Sequence, residues 1–519
     1  MNNQSTFLPP GVKSCFIINR QLSLSDENAK DEDLSDKILY YIPSDTSLSE
    51  QVRDANIVEA LIEFTNSFEE GAVVQAVNMQ QHSYHYCKWE EDTWFVIALE
   101  KDAFLDRNGR QCRVSFSANT VSTVMKGLHD LYVSFLDPIE PLLYKKNADG
   151  VVIAKEVVSQ KLKLRKLKYT EDCIRNGEMK NPGNDEERIN AITALQESLR
   201  QLDAISPLEE VRDRLNTTLR RYLASLNWQH LHCLCALDGF IPFATDPATS
   251  CDIHTLMSQI SVRFPAVRFS CFLFNDFFLW SDLSVGNQVV LRNYLRVSQT
   301  TCGLGGEAAQ EGFLTDMNSQ FLTDVQLEAE TGARTPYRLM RYRVGGVSVV
   351  LVLAAGFGQE TAEFATFLSA FREEFGEKCR ALSQALGARG KMNLGGSRRD
   401  LLFFCYNEVT RALTTNLNLN SEVRTAHLMM PMTPAAMVMA LPTCNVVPMN
   451  AVYEKLKDAT GFVESAEKVS DVDWVYGCKQ NGHILFVLLS TSAKASMEDF
   501  IRTVHKIVNE QFGYVFTLI

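Results

Sequence analysis

Lys37-Ile-Leu-Tyr-Tyr-Ile-Pro43, the polar hinge from Ser44 to Ser49, and Glu50-Gln-Val-Arg-Asp-Ala-Asn-Ile-Val-Glu-Ala-Leu-Ile-Glu-Phe-Thr-Asn-Ser-Phe68 are the stretch from which the fold can be read. Pro43 cannot donate to a strand ladder, and Asp45, Ser47 and Ser49 are natural N-cap residues, so an apolar strand gives way to a helix here. On a helical wheel, Ala60, Phe64, Ile57, Phe68, Leu61, Val58, Ile62 and Ala55 cover an arc of roughly 220°, where a helix lying on its own sheet needs little more than ~100°. The helix has more apolar face than one neighbour can cover. Either its own chain buries it on two sides, or a partner protein covers the excess.

Upstream, Ser14-Cys-Phe-Ile-Ile-Asn19 reads as a strand, and the acidic, turn-rich loop Ser25 to Asp36 joins it to Ile38-Leu39-Tyr40 as a long hairpin. Downstream come three further strands, Ala72 to Asn78, His82 to Lys88 and Trp94 to Leu99, then a helix from Ala118 to Phe135. Strand, strand, helix, three strands, helix is the order of one antiparallel sheet packed by helices, an α+β layer architecture.

From Pro138 to Glu187 the pattern gives way to a linker or insertion whose centre, Lys161-Leu-Lys-Leu-Arg-Lys-Leu-Lys168, alternates basic with apolar residues. Two readings stand: an insertion strand with a solvated basic face, or a patch that meets anionic lipid through Lys161, Lys163, Arg165, Lys166 and Lys168, at ~1 kcal/mol per basic residue near the surface. A helix follows from Arg188 to Leu202. Ser206-Pro-Leu-Glu209 then has the form of a capping box with proline at the first helical position, starting a helix from Pro207 to Leu226.

The pattern returns twice. Strands Leu231 to Ala236 and Gly239 to Phe243, helix Cys251 to Val262, the hairpin Arg268 to Phe274 with Phe277 to Trp280, a short helix Gly286 to Leu295, strands Tyr337 to Tyr342 and Ser348 to Leu353, and helix Thr361 to Leu386 make the second unit. Gly387 to Ser397 reads as a linker. Strands Leu401 to Tyr406 and His427 to Met430, helix Ala451 to Ala459, strands Trp474 to Lys479 and Ile484 to Leu489, helix Lys494 to Phe512 and a closing strand Tyr514 to Leu518 make the third. Recurring order implies three copies of one fold.

The chain of 519 residues has room for roughly three domains. Its 51 Lys+Arg against 63 Asp+Glu argue against a general nucleic-acid binder. No early apolar segment follows a basic start, and no apolar run approaches the ~20 residues of a membrane span, so a soluble, unsecreted protein of the cytoplasm is expected. The 13 cysteines lie scattered, and Cys15, Cys271 and Cys405 fall inside apolar strands, as reduced, buried small hydrophobes do.

Catalytic signals are missing. Gly303-Leu-Gly-Gly-Glu lacks the spacing and lysine of a phosphate-binding loop, and neither a Gly-x-Ser-x-Gly elbow nor a His-Glu-x-x-His motif occurs. His82-Ser-Tyr-His85-Tyr-Cys87 and His230-Leu-His232-Cys233-Leu-Cys235 could suggest a metal. On a strand, however, His230 and His232 share one face and Cys233 and Cys235 the other, while His85 and Cys87 share a face that His82 does not. No metal or cofactor is expected, and no enzyme.

Cys15-Phe-Ile-Ile-Asn19, Lys37-Ile-Leu-Tyr-Tyr-Ile-Pro43, Val52-Arg-Asp-Ala-Asn-Ile-Val-Glu-Ala-Leu-Ile-Glu-Phe-Thr65 and Asp92-Thr-Trp-Phe-Val-Ile97 resemble the first longin domain of the Ccz family, the vacuolar fusion proteins named for calcium, caffeine and zinc sensitivity. Similar blocks follow in the same order: Leu219-Arg-Arg-Tyr-Leu223, Asp238-Gly-Phe-Ile-Pro-Phe243, Phe272-Leu-Phe-Asn-Asp276, Leu279-Trp280, Asp473-Trp-Val-Tyr-Gly-Cys-Lys479 and Leu485-Phe-Val-Leu-Leu489. The insertion at Lys161 to Lys168, the polar tract Thr414 to Asn420 and the Met/Pro-rich stretch Met429 to Pro448 depart from the family pattern.

The resemblance implies three longin-type domains, over residues 1–137, 207–386 and 400–519, with a linker carrying the basic insertion and a helix at 138–206 and a Gly/basic linker at 387–399. It implies a heterodimer with a Mon-type longin subunit that acts as a guanine-nucleotide exchange factor for the Rab GTPase of late endosomes and vacuoles, recruited peripherally to anionic membrane of the late endosome, lysosome or vacuole. The alternative in the same family of folds is an adaptor or tethering subunit without exchange activity. Exchange breaks no bond: a surface that binds the switch loops better when they are pulled away from nucleotide and magnesium shifts the GTPase to a weak-binding state. On the helix from Glu50 to Phe68, Asn56, Glu59, Glu63 and Asn66 form a polar stripe at spacings of three and four residues beside the apolar arc, and with Ile62 they are the candidate partner or Rab contacts.

Overall fold

A computed structural model describes residues 11–23, 30–68, 75–101, 103–105, 111–113, 116–146, 150–176, 185–224, 228, 233, 237, 239–240, 245–274, 277–299, 311–314, 322–329, 332–358, 361–389, 401–415, 443–492 and 495–516. The principal helices in chain order are α1 (Leu48–Asn66), α2 (Ala118–Leu136), α3 (Ile153–Arg175), α4 (Asp185–Ile205), α5 (Leu208–Ala224), α6 (Pro247–Arg263), α7 (Val285–Gln299), α8 (Thr361–Arg389), α9 (Thr443–Leu456) and α10 (Met497–Phe512). By their contacts the residues group into two units, 1–101 with 136–229, and 102–135 with 230–519.

The first unit holds one sheet of β1 (Val12–Asn19), β2 (Ile38–Ile42), β3 (Ala76–Asn78), β4 (His82–Lys88) and β5 (Thr93–Glu100), in the order β2-β1-β5-β4-β3. All pairings are antiparallel, with Phe16 opposite Tyr41 on one side and Val96 on the other. The expected hairpin of β1 and β2 is therefore present. The central strands are buried on both faces, from Cys15 to Ile18 in β1 and from Trp94 to Leu99 in β5. Ser47 is the N-cap of α1, its hydroxyl accepting from the Glu50 amide at 3.4 Å. Val52, Ala55, Val58 and Ile62 of α1 are buried against Phe16, Ile18, Tyr86, Trp94 and Val96. Burying each of the larger three contributes about 2 kcal/mol.

The second unit repeats the plan twice. After a small hairpin of β6 (Ala103–Leu105) and β7 (Gln111–Arg113) and the helix α2, a sheet runs in the order β10-β12-β13-β8-β9, with β11 also pairing β12. Its strands are β8 (Val267–Phe274), β9 (Phe277–Ser281), β10 (Gly312–Leu314), β11 (Thr323–Glu328), β12 (Arg334–Val344) and β13 (Val347–Ala354). Helices α6 and α8 pack on it through Ile253, Met257, Phe371 and Phe375. The third sheet, β15-β14-β18-β17-β16, comprises β14 (Leu401–Asn407), β15 (Leu413–Thr415), β16 (Val463–Lys468), β17 (Asp473–Gln480) and β18 (His483–Ser490). Helix α9 covers one face through Val452 and Leu456, and α10 the other through Phe500, Val504 and Val508.

Within each sheet the last strand in chain order (β5, β13, β18) lies in the centre beside the first, and the second strand lies outside the first. Three antiparallel sheets of one topology, packed by helices, give the α+β architecture expected. The central strand is the one read at Trp94 to Leu99, Ser348 to Leu353 and Ile484 to Leu489, and it is buried along most of its length: Phe95 to Leu99, Val347 to Leu353 and Ile484 to Leu488.

Several expectations are corrected. Lys161 to Lys168 is no strand but the middle of α3. Leu, Lys and Arg are strong helix formers, and a short alternation cannot outweigh a window of that composition with no proline or glycine. Cys233 is helical rather than extended, the other residues of the strand placed at Leu231 to Ala236 lying outside the described residues. His427 to Met430 lies outside them too. Of the closing strand expected at Tyr514 to Leu518, Tyr514 and Val515 form a turn, with the Val515 and Phe516 amides donating back to the Phe512 carbonyl at 2.8 and 2.9 Å, and 517 and 518 lie outside the described residues. Cys15, Cys271 and Cys405 are buried and free, as read.

In β4, His85 is buried with its Nε2 2.9 Å from the Ser83 hydroxyl. Burial, with a smaller push from Lys101, lowers its pKa to about 4. The unfolded chain then binds a proton between pH ~6.5 and ~4 that the folded chain refuses, so this contribution to stability is whole above ~6.5 and lost as pH falls toward ~4. Denaturation midpoints should drop between pH 7 and 5 in the natural chain and stay flatter in His85→Gln; equal slopes would contradict the assignment.

Candidate functional site

Helix α1 divides its apolar arc in two. One half is core. The other is open: Ile57 is 47 %, Phe64 59 % and Phe68 74 % exposed, with Phe64 and Phe68 meeting edge to face at 4.7 Å. Ile57, Ala60 and Phe64 recur at spacings of three and four, so they form one seam on the solvent side. Contiguous apolar surface of this kind on a helix marks an interaction site more often than chance exposure does.

The polar residues named from the sequence are placed differently from one another. Ile62 belongs to the core, 2 % exposed, and presents nothing to a partner. Its place on the wheel, close to Val58 and Ala55, is the reason. Asn56, Glu63 and Asn66 are exposed, and Glu63 approaches Arg20 at 3.5 Å. Glu59 is drawn inward: the Lys37 ammonium, 1 % exposed, donates to Glu59 Oε2 at 2.5 Å and to Asn56 Oδ1 at 2.7 Å. Lys37 immediately precedes β2, and the turn of α1 over that strand end brings Asn56 and Glu59, one turn apart, onto one cation.

A second polar contact abuts the first. Asp36 is buried, and Arg212 of α5 reaches its Oδ1 at 3.8 Å and the carbonyls of Asp36 and Ile38 at 3.4 Å each. Since β2 is an edge strand, this guanidinium occupies acceptors that another chain would otherwise find. Sequence reading had missed Lys37, Asp36 and Arg212. The available signal was an Asp-Lys pair abutting a wholly apolar strand, where a charge needs a partner to be buried.

The basic residues of α3 do not make one stripe. Lys161, Arg165 and Lys168 follow at i, i+4 and i+7 on one side, and Lys163 and Lys166 lie on another. Of these, Lys163, Lys166 and Lys168 are exposed, while Lys161 and Arg165 are half-buried along a helix that packs against α4. Among the described residues no cluster of His, Cys, Asp and Glu is disposed to hold a metal, and no helix is long and apolar enough to cross a membrane. His230, His232 and Cys235 lie outside the described residues.

Residues 16–135 match the family described as the first longin domain of INTU, CCZ1 and HPS4. The chain is 30 % identical over 117 residues to the vacuolar fusion protein CCZ1 homolog B of Arabidopsis thaliana, 22 % of either chain. It is 20 % identical over 289 residues to the vacuolar fusion protein CCZ1 homolog of Xenopus laevis, covering 55 % of this chain and 48 % of that one. Over 323 residues it is 20 % identical to the homolog from Nematostella vectensis, 62 % of this chain and 56 % of the other. The matched part of the chain thus spans about half the length of these relatives, or less.

Proposed function

We propose, from the premise that this chain is a Ccz-family protein with its first longin domain over residues 16–135, that it acts in vacuolar fusion as the longin subunit of a heterodimeric guanine-nucleotide exchange factor. Its companion is a Mon-type longin subunit, and its client is the Rab GTPase of the late endosome and vacuole, met at the membrane surface. The observation that supports this is the open apolar seam of α1, Ile57, Ala60 and Phe64, inside the matched domain. Such a seam suits a subunit that is completed by another protein. The function asks for no bond chemistry from the chain. What it needs is differential binding of the open and closed switch loops, and a gain of about 1.4 kcal/mol for the open form speeds release tenfold.

The test is co-purification with the Mon-type subunit followed by release of a fluorescent guanine nucleotide from a panel of Rab proteins. Release from the late-endosomal Rab should accelerate at least tenfold with the pair and with neither subunit alone. A stable pair that accelerates no Rab would replace exchange by an adaptor or tethering role; no pair at all would remove the proposal.

A further inference from the structure

Resting on the reading just given, in which α1 faces the companion subunit, the hydrogen bonds around that helix say what kind of surface it presents. Its sequence is acidic, with Glu50, Asp54, Glu59 and Glu63 on α1. Each of the four carboxylates, however, has a partner within the chain, and Asp54 and Glu59 are largely covered while Glu63 stays 71 % exposed. Glu50 accepts from the Ser47 hydroxyl at 2.9 Å, and Asp54 accepts from the Tyr41 hydroxyl at 2.8 Å. Glu59 takes the Lys37 ammonium at 2.5 Å, and Glu63 lies 3.5 Å from Arg20.

Asn56 is oriented by the same buried lysine. An ammonium only donates, so the Asn56 oxygen must face Lys37 Nζ, at 2.7 Å, and the Asn56 NH2 group must face away from it. Arg53, one turn earlier, is 63 % exposed and lies 3.8 Å from its neighbour Asp54, too far for a hydrogen bond. Arg53, Asn56, Ile57, Ala60 and Phe64 sit at spacings of three and four, so donors and apolar seam share one face.

We propose that this face is an apolar seat flanked at Arg53 and Asn56 by hydrogen-bond donors, and that there it selects a companion segment whose apolar side chains are flanked by acceptors, carboxylates or free backbone carbonyls, rather than by basic groups. Lys37 is its positioning residue: it withdraws Glu59 and turns the Asn56 amide outward. Specificity of this type comes from the penalty on a partner whose flanking groups cannot accept. An acidic residue count on the helix would have selected the opposite partner.

The experiment uses the full chain and the purified Mon-type subunit, with affinity read by titration calorimetry and folding by circular dichroism and the thermal midpoint. Ile57→Asp with Phe64→Asp tests the seat. Arg53→Glu with Asn56→Asp tests the rim, since the carboxylate brought in by Asn56→Asp can still accept from Lys37 while offering an acceptor outward. The expected result is at least a hundredfold weaker association for the seat pair and at least tenfold for the rim pair, both folded, with the rim effect shrinking as salt rises. If the seat pair abolishes association and the rim pair leaves it within twofold, donor selection is overturned while α1 remains the docking site. If neither pair changes it, the docking site itself is wrong. Should a double variant melt early, Asn56→Asp alone gives the same discrimination with a threefold threshold.

Discussion

Replacing Lys37 by Met is expected to lower the unfolding free energy by about 3 kcal/mol, the cost of breaking a buried ion pair from one side. The ammonium is 1 % exposed, and Glu59 has its second oxygen, Oε1, buried and without a hydrogen bond among the described residues. Removing the cation leaves that carboxylate with only the Ser23 hydroxyl, 3.4 Å from Oε2. The double change Lys37→Met with Glu59→Met should recover most of the loss, because an apolar pair of similar volume needs no desolvation of charge. Urea denaturation of the three proteins checks this; a Lys37→Met chain within about 1 kcal/mol of the natural one would remove the ion pair from the account. By the same reasoning Glu59→Lys sets two ammonium groups against each other in a closed space. It would unfold the domain rather than report on a docking surface, and so cannot serve as a clean probe of exchange.

What the sequence conveyed about α1, and what it withheld, follows from the range of each interaction. Helix and strand at Lys37 to Phe68 are set by proline, N-cap residues and apolar periodicity, all local, and the structure places them where that reasoning put them. The wide apolar arc was also legible, and it has divided as an over-wide arc should, into a core half and an open half. The side chains of Asn56, Glu59 and Glu63 could not be read this way, because their partners Lys37 and Arg20 lie far back in the sequence and meet them only once the hairpin of β1 and β2 has formed. Local spacing assigned a polar stripe to solvent; tertiary pairing drew Glu59 back. In α3 the failure was of window length, a short basic run read where the full helix was needed.

Helix α2 shows the same limit at domain scale. A helix over Ala118 to Phe135 was legible, but the contacts of its ends are with elements far downstream: the Ser117 hydroxyl donates to Glu454 of α9, Phe135 stacks on Tyr294 of α7 with ring centres 4.1 Å apart, and Arg334 of β12 donates to the Ser134 hydroxyl at 3.1 Å. Residues 118–135 thus group by contact with the second and third sheets, although they follow the first in sequence. No local rule assigns a helix to one sheet rather than another. Only the long-range pairing does.

Gly477 offers the second large effect. It lies mid-strand in β17, opposite Phe486, where a glycine is costly to the ladder and so needs a reason. The reason is the closeness of α9: a Cβ at this position would lie 2.4 Å from Val452 Cγ1 and 2.9 Å from Leu456 Cδ1, both on fully buried side chains. Neither neighbour has room to turn aside, so Gly477→Ala is expected to cost about 2 kcal/mol and Gly477→Val more than about 3 kcal/mol, the range of overpacked cores. The loss should appear as a lower denaturation midpoint, together with new protease cleavage between α9 and β16, where the helix comes off its sheet. Because Gly477 and the α1 seat belong to different contact units, the Ala variant, assayed well below its melting temperature, should bind the companion subunit within twofold of the natural chain. A midpoint unchanged in Gly477→Val would mean that α9 can back away from the strand, and that the glycine is kept there by something other than packing.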